Sequence, residues 1–283
     1  MITGEGFGGR LRTAMDVRGA LCVGIDPHPG LLAQWGLTDD VTGLERFALT
    51  VVEALADRVA VLKPQSAFFE RYGSAGVAVL ERVIADSRAA GALTIVDAKR
   101  GDIGSTMAAY AQAYVGDGST LAGDAVTVSP FLGYESLRPL LTLAATTGRG
   151  VFVLALTSNP EGGTVQHARA PDGRTVAQTI LDAVGADNAG ATPLGSVGVV
   201  VGATVEGEGR AHVLSGLNGP LLAPGIGAQG ATAADLQAVF GSALGDVLPS
   251  SSREVLSGGP TIAGLRAAAE RALESIGTVL GRV

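Results

Sequence analysis

Lys63 and Lys99 are the only two lysines in this chain of 283 residues, and the other eighteen of its twenty Lys and Arg residues are arginines. On a solvated surface either side chain would serve, so an arginine-rich composition can replace lysine there without harm. A site that needs a compact ammonium able to release a proton cannot accept arginine, which stays protonated. The two lysines are therefore the first candidates for electrostatic or acid–base chemistry. The alternative is chance survival in an arginine-biased composition.

The residues around Lys99 add carboxylates at a spacing that suits an ion cluster. An apolar run over residues 93–96 leads into an Asp-x-Lys-x-x-Asp pattern made by Asp97, Lys99 and Asp102. If the strand continues through Lys99, the period-two alternation of side chains places Asp97 and Lys99 on the same side of the sheet. The pattern therefore predicts an ammonium and a carboxylate on one face.

Two earlier apolar runs also end in charged residues. Residues 21–25 lead into Asp26, and residues 59–62 lead into Lys63. Pro64 follows at once, and it lacks the N–H that a central strand needs in order to continue. Three successive strand ends are thus predicted to carry the charged groups of a site.

Eight short apolar runs alternate with amphipathic segments along the chain. The later runs span residues 125–129, 151–156, 197–201, 221–223 and 246–249, and the amphipathic segments span 43–57, 77–90, 105–114, 175–187, 232–240 and 262–280. This alternation is typical of an α/β protein with a parallel sheet, and eight repeats predict closure into a (β/α)8 TIM barrel. No Pro- or Ser-rich linker divides the chain, so we expect one domain over residues 1–283.

Composition narrows the function classes. Apolar residues make up 47% of the chain and charged residues 17%, with a net charge of −7. That balance supports a large core and disfavours general nucleic-acid binding. No stretch approaches the roughly 18 apolar residues of a membrane span, and no apolar signal region begins the chain, so we expect no membrane association and a cytoplasmic location.

Cysteine and histidine offer little for metal binding. Cys22, the single cysteine, falls within an apolar run and is predicted to be a core residue. His28, His167 and His212 are scattered without the spacing of metal ligands. His28 lies between two prolines and is expected to face solvent in a loop.

Two segments match the Gly-x-Gly-x-x-Gly pattern. Residues 4–9 follow no strand and are expected to be a flexible N-terminus. Residues 225–230 follow the seventh predicted strand and precede a helix whose start carries a capping-box pattern, Thr232 and Asp235. Glycines there would let backbone N–H groups approach an anion, and Arg253, after the eighth strand, would add a fixed charge. The longest loop, residues 157–175, is expected at the same face of the barrel.

Six motifs occur in a set order at the predicted strand ends: residues 24–27, 63–65, 97–103 with Thr106, 157–160, 224–230, and Arg253. Together they resemble the orotidine 5′-phosphate decarboxylase family, in particular its longer bacterial branch, over most of the chain. The resemblance implies a barrel that forms a homodimer with shared active sites. It also implies conversion of orotidine 5′-phosphate to UMP and CO₂, in pyrimidine biosynthesis, without a metal or an organic cofactor.

The resemblance also implies roles for individual residues. The residues implied to be catalytic are Lys63, Asp97, Lys99 and Asp102, with Lys99 as proton donor. Asp102 and Thr106 would reach into the partner's site. The resemblance implies that Asp26 and Lys63 bind the ribose and that Ser158 binds the pyrimidine. It implies that the phosphate is bound by Gly227, Gln229 and Arg253. The further residues implied to bind substrate are Thr106, Pro224 and Gly225.

Two other functions stay open from the sequence. A Mg²⁺-dependent sugar-phosphate aldolase of the hexulose-phosphate synthase type resembles the same barrel and carries the same Asp-x-Lys-x-x-Asp pattern. Asp26, Asp97 and Asp102 would then be the metal's carboxylates, although two nearby lysines would compete for them. A barrel that binds a nucleotide for regulation without turning it over is the other alternative. Sensitivity to EDTA and release of CO₂ distinguish these functions.

Overall fold

The strands of this protein are short and apolar, as continuous burial on both faces of a parallel sheet requires. Their bounds are β1 Cys22–Ile25, β2 Val61–Pro64, β3 Leu93–Arg100, β4 Ala125–Val128, β5 Gly150–Leu156, β6 Val197–Val201, β7 Leu221–Pro224 and β8 Val247–Ser251. In the computed structural model, which describes residues 5–203, 212–225 and 233–280, each strand pairs in parallel with the next. Pairing of Cys22 with Ser250 joins β1 to β8 and closes the barrel.

The helices pack around this barrel. Their bounds are α1 Phe7–Arg18, α2 Pro29–Gln34, α3 Val41–Leu55, α4 Ser66–Glu70, α5 Gly73–Ala89, α6 Gly104–Val115, α7 Arg138–Thr147, α8 Gly163–Gln166, α9 Val176–Asp187, α10 Ala233–Phe240, α11 Arg253–Leu256 and α12 Ile262–Leu280. Short 3₁₀ turns span Tyr134–Leu137, Pro160–Gly162 and Gly241–Asp246. Within the described ranges, none of the helices has the length and apolar character needed to cross a membrane.

Helix α3 illustrates how the sequence builds the outer layer. The Asp40 carboxylate accepts a hydrogen bond of 2.8 Å from the Gly43 N–H and so caps the start of the helix. Apolar residues then recur at every third or fourth position, and Leu44, Phe47 and Val51 are fully buried. The helix packs between α5 and α12, so its polar face is the one left to solvent.

The predicted (β/α)8 barrel is confirmed, with a strand at each of the eight predicted apolar runs. Helix α7 was not predicted from the sequence; its residues Leu140, Leu141 and Ala144 are buried against the barrel and stabilise it. The loop over residues 157–175 holds two helical turns and a bridge between Arg169 and Thr175. One domain over residues 1–283 stays a prediction.

The expectation of a flexible N-terminus is wrong for the residues the structure describes. Helix α1 begins at Phe7, which is fully buried and lies edge-on to Phe152 with ring centroids 5.9 Å apart. A Cβ at Gly150, the first residue of β5, would fall 2.1 Å from the Phe7 ring. A Cβ at Gly8 would fall 2.2 Å from a backbone carbonyl of the loop before β6. The glycines let α1 cover the amino end of the barrel, opposite the predicted site.

Candidate active site

Three charged side chains from β2 and β3 form one ion cluster at the carboxyl end of the barrel. The Lys63 ammonium donates a hydrogen bond of 2.8 Å to Oδ2 of Asp97, and the Lys99 ammonium donates one of 2.5 Å to Oδ1. The side chains of Lys63 and Asp97 are only 7% and 8% exposed, whereas that of Lys99 is 45% exposed. Lys99 is therefore the more exposed cation of the cluster, and Lys63 is a largely buried counter-charge that also lines the cavity at this end of the barrel.

Burial and charge oppose each other in this cluster. Burial would raise the pKa of the Asp97 carboxyl, but attraction to Lys63 and Lys99 outweighs it and holds that pKa well below its usual range. Burial would likewise lower the pKa of the Lys63 ammonium, but attraction to Asp97 and Asp26 outweighs it and raises that pKa. Asp97 and Lys63 therefore stay ionised at neutral pH as a fixed pair of charges.

Lys99 holds its position through an uncommon backbone conformation. Its φ is 48°, in the left-handed region where residues other than glycine are rare and which is often found at functional sites. The Lys99 N–H donates to Oγ1 of Thr127 at 3.0 Å, and the same hydroxyl donates to Oδ1 of Asp97 at 2.8 Å. On the other side of the strand, the Gln65 amide donates to the Asp97 carbonyl at 3.2 Å. Neighbouring strands thus fix both the backbone and the carboxylate.

A cavity of about 490 Å³ lies at this end of the barrel, with Asp97 and Lys99 in its wall. Its volume is within the range of about 300–1,000 Å³ that is usual for small-molecule sites. Asp26 also lines the cavity, and its Oδ1 atom is buried without a hydrogen-bond partner among the described residues. An unpaired buried carboxylate oxygen is costly, so a ligand hydroxyl that donates to Asp26 would be favoured.

Further predicted residues surround the mouth of the cavity: Ser158, Pro224, Gly225 and Arg253. Arg253 is exposed at the start of α11 and forms no ion pair with any residue that the structure describes, which leaves its guanidinium available to an anion. Gly225 has a φ of 95°, a backbone conformation that favours glycine. Gly227 and Gln229 lie outside the described residues, as does Thr232 of the predicted capping box.

Asp102 and Thr106 do not line the cavity of their own chain. Asp102 follows β3, and its carboxylate accepts a hydrogen bond of 2.8 Å from the Ile103 N–H. Thr106 is exposed in the first turn of α6. The residues that the resemblance assigns to a partner's site are thus outside the site of their own chain.

The carboxylates considered as metal ligands are not brought together. Over residues 5–203, 212–225 and 233–280, no three His, Cys, Asp or Glu side chains are grouped as metal ligands. The oxygens of Asp97 accept hydrogen bonds from two ammonium groups and a hydroxyl. This arrangement suits a polar organic ligand that contacts Lys99 and Asp26.

The comparison with protein families agrees with this geometry. The sequence profile of the orotidine 5′-phosphate decarboxylase / HUMPS family matches residues 19–260. The chain belongs to this family. The matched region runs from just before β1 to beyond β8, so it includes the ion cluster and Arg253, whereas α1 and α12 lie outside it.

Relatives within the orotidine 5′-phosphate decarboxylase family are similar over nearly the whole chain. The orotidine 5′-phosphate decarboxylase of Salinispora arenicola is 67% identical over 269 residues, which cover 95% of this chain and 96% of the relative. The crystal structure of a candidate orotidine 5′-phosphate decarboxylase from Streptomyces avermitilis has a TM-score of 0.95 and 62% identity, covering 99% and 98% of the two chains. The OMP decarboxylase of Leishmania donovani has a TM-score of 0.76 and 30% identity, covering 98% and 99%.

Several polar residues line the cavity of this family member without having been predicted as site residues: His28, Gln65, Thr127 and Asn159. The expectation that His28 is a solvent-facing loop residue is only partly right: the residue lies in a loop but is half-buried, and its ring packs against Phe68 with centroids 4.2 Å apart. Thr127 did carry a signal, since it is the one polar residue within the apolar run of β4. The contact of His28 has no such signal, because Phe68 is distant from it in sequence.

Proposed function

We propose that this protein is an orotidine 5′-phosphate decarboxylase, a carboxy-lyase that converts orotidine 5′-phosphate to UMP and CO₂ in de novo pyrimidine biosynthesis. The observation that carries the proposal is the cluster of Lys63, Asp97 and Lys99, in which one buried carboxylate lies between two ammonium groups beside a cavity of ligand size. Family membership and a relative of that name at 67% identity support it.

Asp97 contributes through repulsion. A substrate carboxylate bound next to Asp97 meets a like charge, and this unfavourable contact disappears as CO₂ departs. Asp97 can exert it at neutral pH because its own pKa is held low by the two lysines, against the effect of burial. We give this ground-state effect less weight than stabilisation of the transition state.

Lys99 acts on the bond that breaks. When the bond between the ring carbon and the carboxylate breaks, its electron pair stays on the ring carbon, and the ammonium of Lys99 stabilises the negative charge that develops. Lys99 then donates an Nζ proton to that carbon to give UMP, and solvent reprotonates the amine. Lys63, which is buried and has a raised pKa, keeps its proton and holds Asp97 in place.

The walls of the cavity provide binding groups for the rest of the nucleotide. Asp26, with its unpaired buried oxygen, and Lys63 hold the ribose hydroxyls. Ser158 contacts the pyrimidine. The residues that bind the phosphate are Gly227, Gln229 and Arg253. Pro224 and Gly225 also bind the substrate, at the start of the loop that contains Gly227 and Gln229. Phosphate binding is remote from the bond that breaks, so its energy serves to close the loops and to order the site.

The protein forms a homodimer in this proposal, and Asp102 and Thr106 complete the partner's site. Their position outside their own cavity supports it. Apolar side chains are exposed in the adjoining loops after β3 and β4, where Ile103, Phe131 and Leu132 are 61%, 75% and 53% exposed. Such side chains next to the site suit burial at an interface. We also propose a cytoplasmic location and a single domain over residues 1–283.

The test is the loss of orotidine 5′-phosphate absorbance when purified protein is added in EDTA, with CO₂ and UMP measured as products. We expect rapid loss with the parent protein and none with Lys99→Ala. Lys99→Arg should also be inactive, because a guanidinium keeps its proton. Arg82→Ala is the control, since Arg82 forms an exposed ion pair with Glu45 away from the cavity and should keep the parent rate.

Two outcomes would overturn the proposal. A parent protein that leaves orotidine 5′-phosphate intact but cleaves a sugar phosphate when Mg²⁺ is supplied would be an aldolase. A parent protein that binds UMP tightly and releases no CO₂ would be a nucleotide-binding protein without turnover.

A further inference from the structure

Arg100 follows Lys99 directly, yet its side chain takes no part in the cavity. Its Nη1 donates a hydrogen bond of 3.0 Å to the carbonyl of Ala98, and its Nη2 forms an ion pair with Oε1 of Glu70. The guanidinium carbon also lies 5.6 Å from the ring centroid of Tyr114 and 5.9 Å from that of Tyr110, both on α6. One side chain therefore joins the end of β3 to α4 and to α6.

These contacts enclose the strained residue. Ala98 and Arg100 are the neighbours of Lys99 on either side, and Lys99 has the left-handed φ of 48°. Two bonds hold the backbone on the β4 side: the Lys99 N–H bonds to Thr127 at 3.0 Å, and the Ser129 N–H bonds to the Arg100 carbonyl at 2.8 Å. On the side away from β4, the Arg100 guanidinium holds the same turn through its hydrogen bond to the Ala98 carbonyl.

The ion pair of Arg100 with Glu70 also connects the chain segments that contain the two lysines. Glu70 accepts a hydrogen bond of 2.5 Å from the Ser66 hydroxyl, and Ser66 is buried at the start of α4. Ser66 stands three residues after Lys63 at the end of β2. The path from Ser66 through Glu70 to Arg100 therefore fixes the segment after Lys63 against the segment that contains Lys99. This path therefore connects the two segments that carry the ammonium groups bound to Asp97.

We propose that Arg100 is a positioning residue for Lys99: by binding the Ala98 carbonyl and Glu70 together, it holds the Lys99 turn so that the ammonium stays on Asp97 and faces the cavity. The activity measurements below rest on the proposed decarboxylation. A second measurement, which observes the lysines directly, does not depend on that activity.

The variants are Arg100→Met, Glu70→Gln, their combination, and Arg100→Lys. We expect Arg100→Met to lower kcat about tenfold, or about 1.4 kcal/mol of barrier, with KM changed less than about threefold, because misplacement of the reacting group affects the chemical step. Glu70→Gln should lower kcat although the charge of Arg100 remains. The double variant should be no worse than Arg100→Met alone, since contacting residues are not additive.

Arg100→Lys separates position from charge. Lysine keeps the positive charge but is a point charge without the planar fork, so it cannot bind the Ala98 carbonyl and Glu70 in the same geometry. We expect only partial recovery of kcat. Full recovery would show that the charge near the site is what matters and would overturn the proposal. Arg82→Met is the matched control, because it removes an exposed arginine bonded to Glu45 at 2.6 Å on the outer helices.

The second measurement uses the scarcity of lysine. Protein labelled only at lysine gives two ammonium signals in NMR spectra, from Lys63 and Lys99, and a Lys99→Arg sample assigns them. In Arg100→Met we expect the Lys99 signal to shift and broaden while the Lys63 signal keeps its position. Arg82→Met should leave both signals unchanged.

The outcomes separate the two proposals. An inactive parent protein would end the proposed function, and the Lys99 signal would still test Arg100. An active parent protein whose Arg100→Met variant keeps both its kcat and the parent's Lys99 signal would overturn the positioning role, even if its melting temperature fell.

Discussion

Lys99 donates a hydrogen bond of 2.5 Å to Asp97, two residues before it on the same strand, from a backbone with a φ of 48°. In a regular strand both side chains would point the same way and their charged ends would lie side by side. The charged ends do meet here, from a left-handed backbone at Lys99, and the Lys99 side chain is 45% exposed whereas that of Asp97 is buried. The ammonium is thereby held by the carboxylate and presented to the cavity.

Asp97→Asn should destabilise the fold strongly. The change leaves the buried Lys63 ammonium without its main counter-charge, and breaking a buried ion pair in this way costs about 3–5 kcal/mol. Urea unfolding at pH 7 measures the loss. Asp172→Asn is the control, because the pair of Asp172 with Arg174 is fully exposed to solvent and should contribute little to stability.

The stability difference between the parent protein and Asp97→Asn should depend on pH. The folded pKa of Asp97 is below its ordinary value of 3.8, so its contribution to stability is present above that value and is lost as the pH falls through the folded pKa. The stability difference between parent and Asp97→Asn should be constant from neutral pH down to about pH 5 and should shrink below about pH 4. A difference that grew in acid would contradict the low pKa of Asp97.

Arg253→Ala should reduce the contribution of the substrate phosphate to kcat/KM. A charged hydrogen bond is worth about 1.5–3 kcal/mol, so kcat/KM for orotidine 5′-phosphate should fall by about 10- to 100-fold. With orotidine, which has no phosphate, the variant and the parent should react alike. Arg271→Ala, in the exposed part of α12, is the matched control. A kcat/KM within about threefold of the parent, or about 0.7 kcal/mol, would remove Arg253 from the phosphate site.

Mixing two inactive variants tests the shared site. In a dimer of Asp97→Ala with Asp102→Ala, one site combines the intact Asp97 of one protomer with the intact Asp102 of its partner. Random exchange should therefore restore about one quarter of the parent's sites, because half of the dimers are mixed and each holds one intact site. Activity measured against the time of mixing follows the exchange. No recovery after complete exchange, with both variants shown by circular dichroism to be folded, would place Asp102 in the site of its own chain.

Phe7→Ala should lower stability without changing the site. Phe7 is fully buried at the amino end of the barrel, on the side opposite the cavity. Truncation of a buried phenylalanine costs about 3–5 kcal/mol, so the melting temperature should fall while kcat of the folded protein is retained. Val17→Ala, at the exposed end of the same helix, should change neither. A large loss of kcat in Phe7→Ala at a temperature where it is folded would contradict this separation.

Cys22 should be unreactive in the folded protein. It is fully buried in β1, and burial raises the pKa of its thiol to about 12, so almost no thiolate exists at pH 8. A thiol reagent should label it only after denaturant is added. Rapid labelling of the native protein would show that the barrel opens near β1.

The sequence by itself determined the barrel and the identity of its central charges. Eight apolar runs separated by amphipathic segments have few ways to bury their surfaces other than a parallel sheet covered by helices, and parallel strands place their carboxyl ends together. Two lysines in an arginine-rich chain, each at such an end and one beside Asp97, could therefore be assigned to one site. Cys22 was assignable to the core for the same reason, since it lies inside an apolar run.

Only the tertiary structure decided the features that depend on contacts between distant segments. Helix α1 has two glycines and a weak apolar pattern, and it forms because the barrel provides a site for Phe7. The packing of His28 against Phe68 likewise has no local signature. The turn at Lys99 and its contacts with Thr127 and Arg100 follow from how β3 meets its neighbours. Local propensity cannot predict these arrangements, because their free energy comes from packing and hydrogen bonding across the chain.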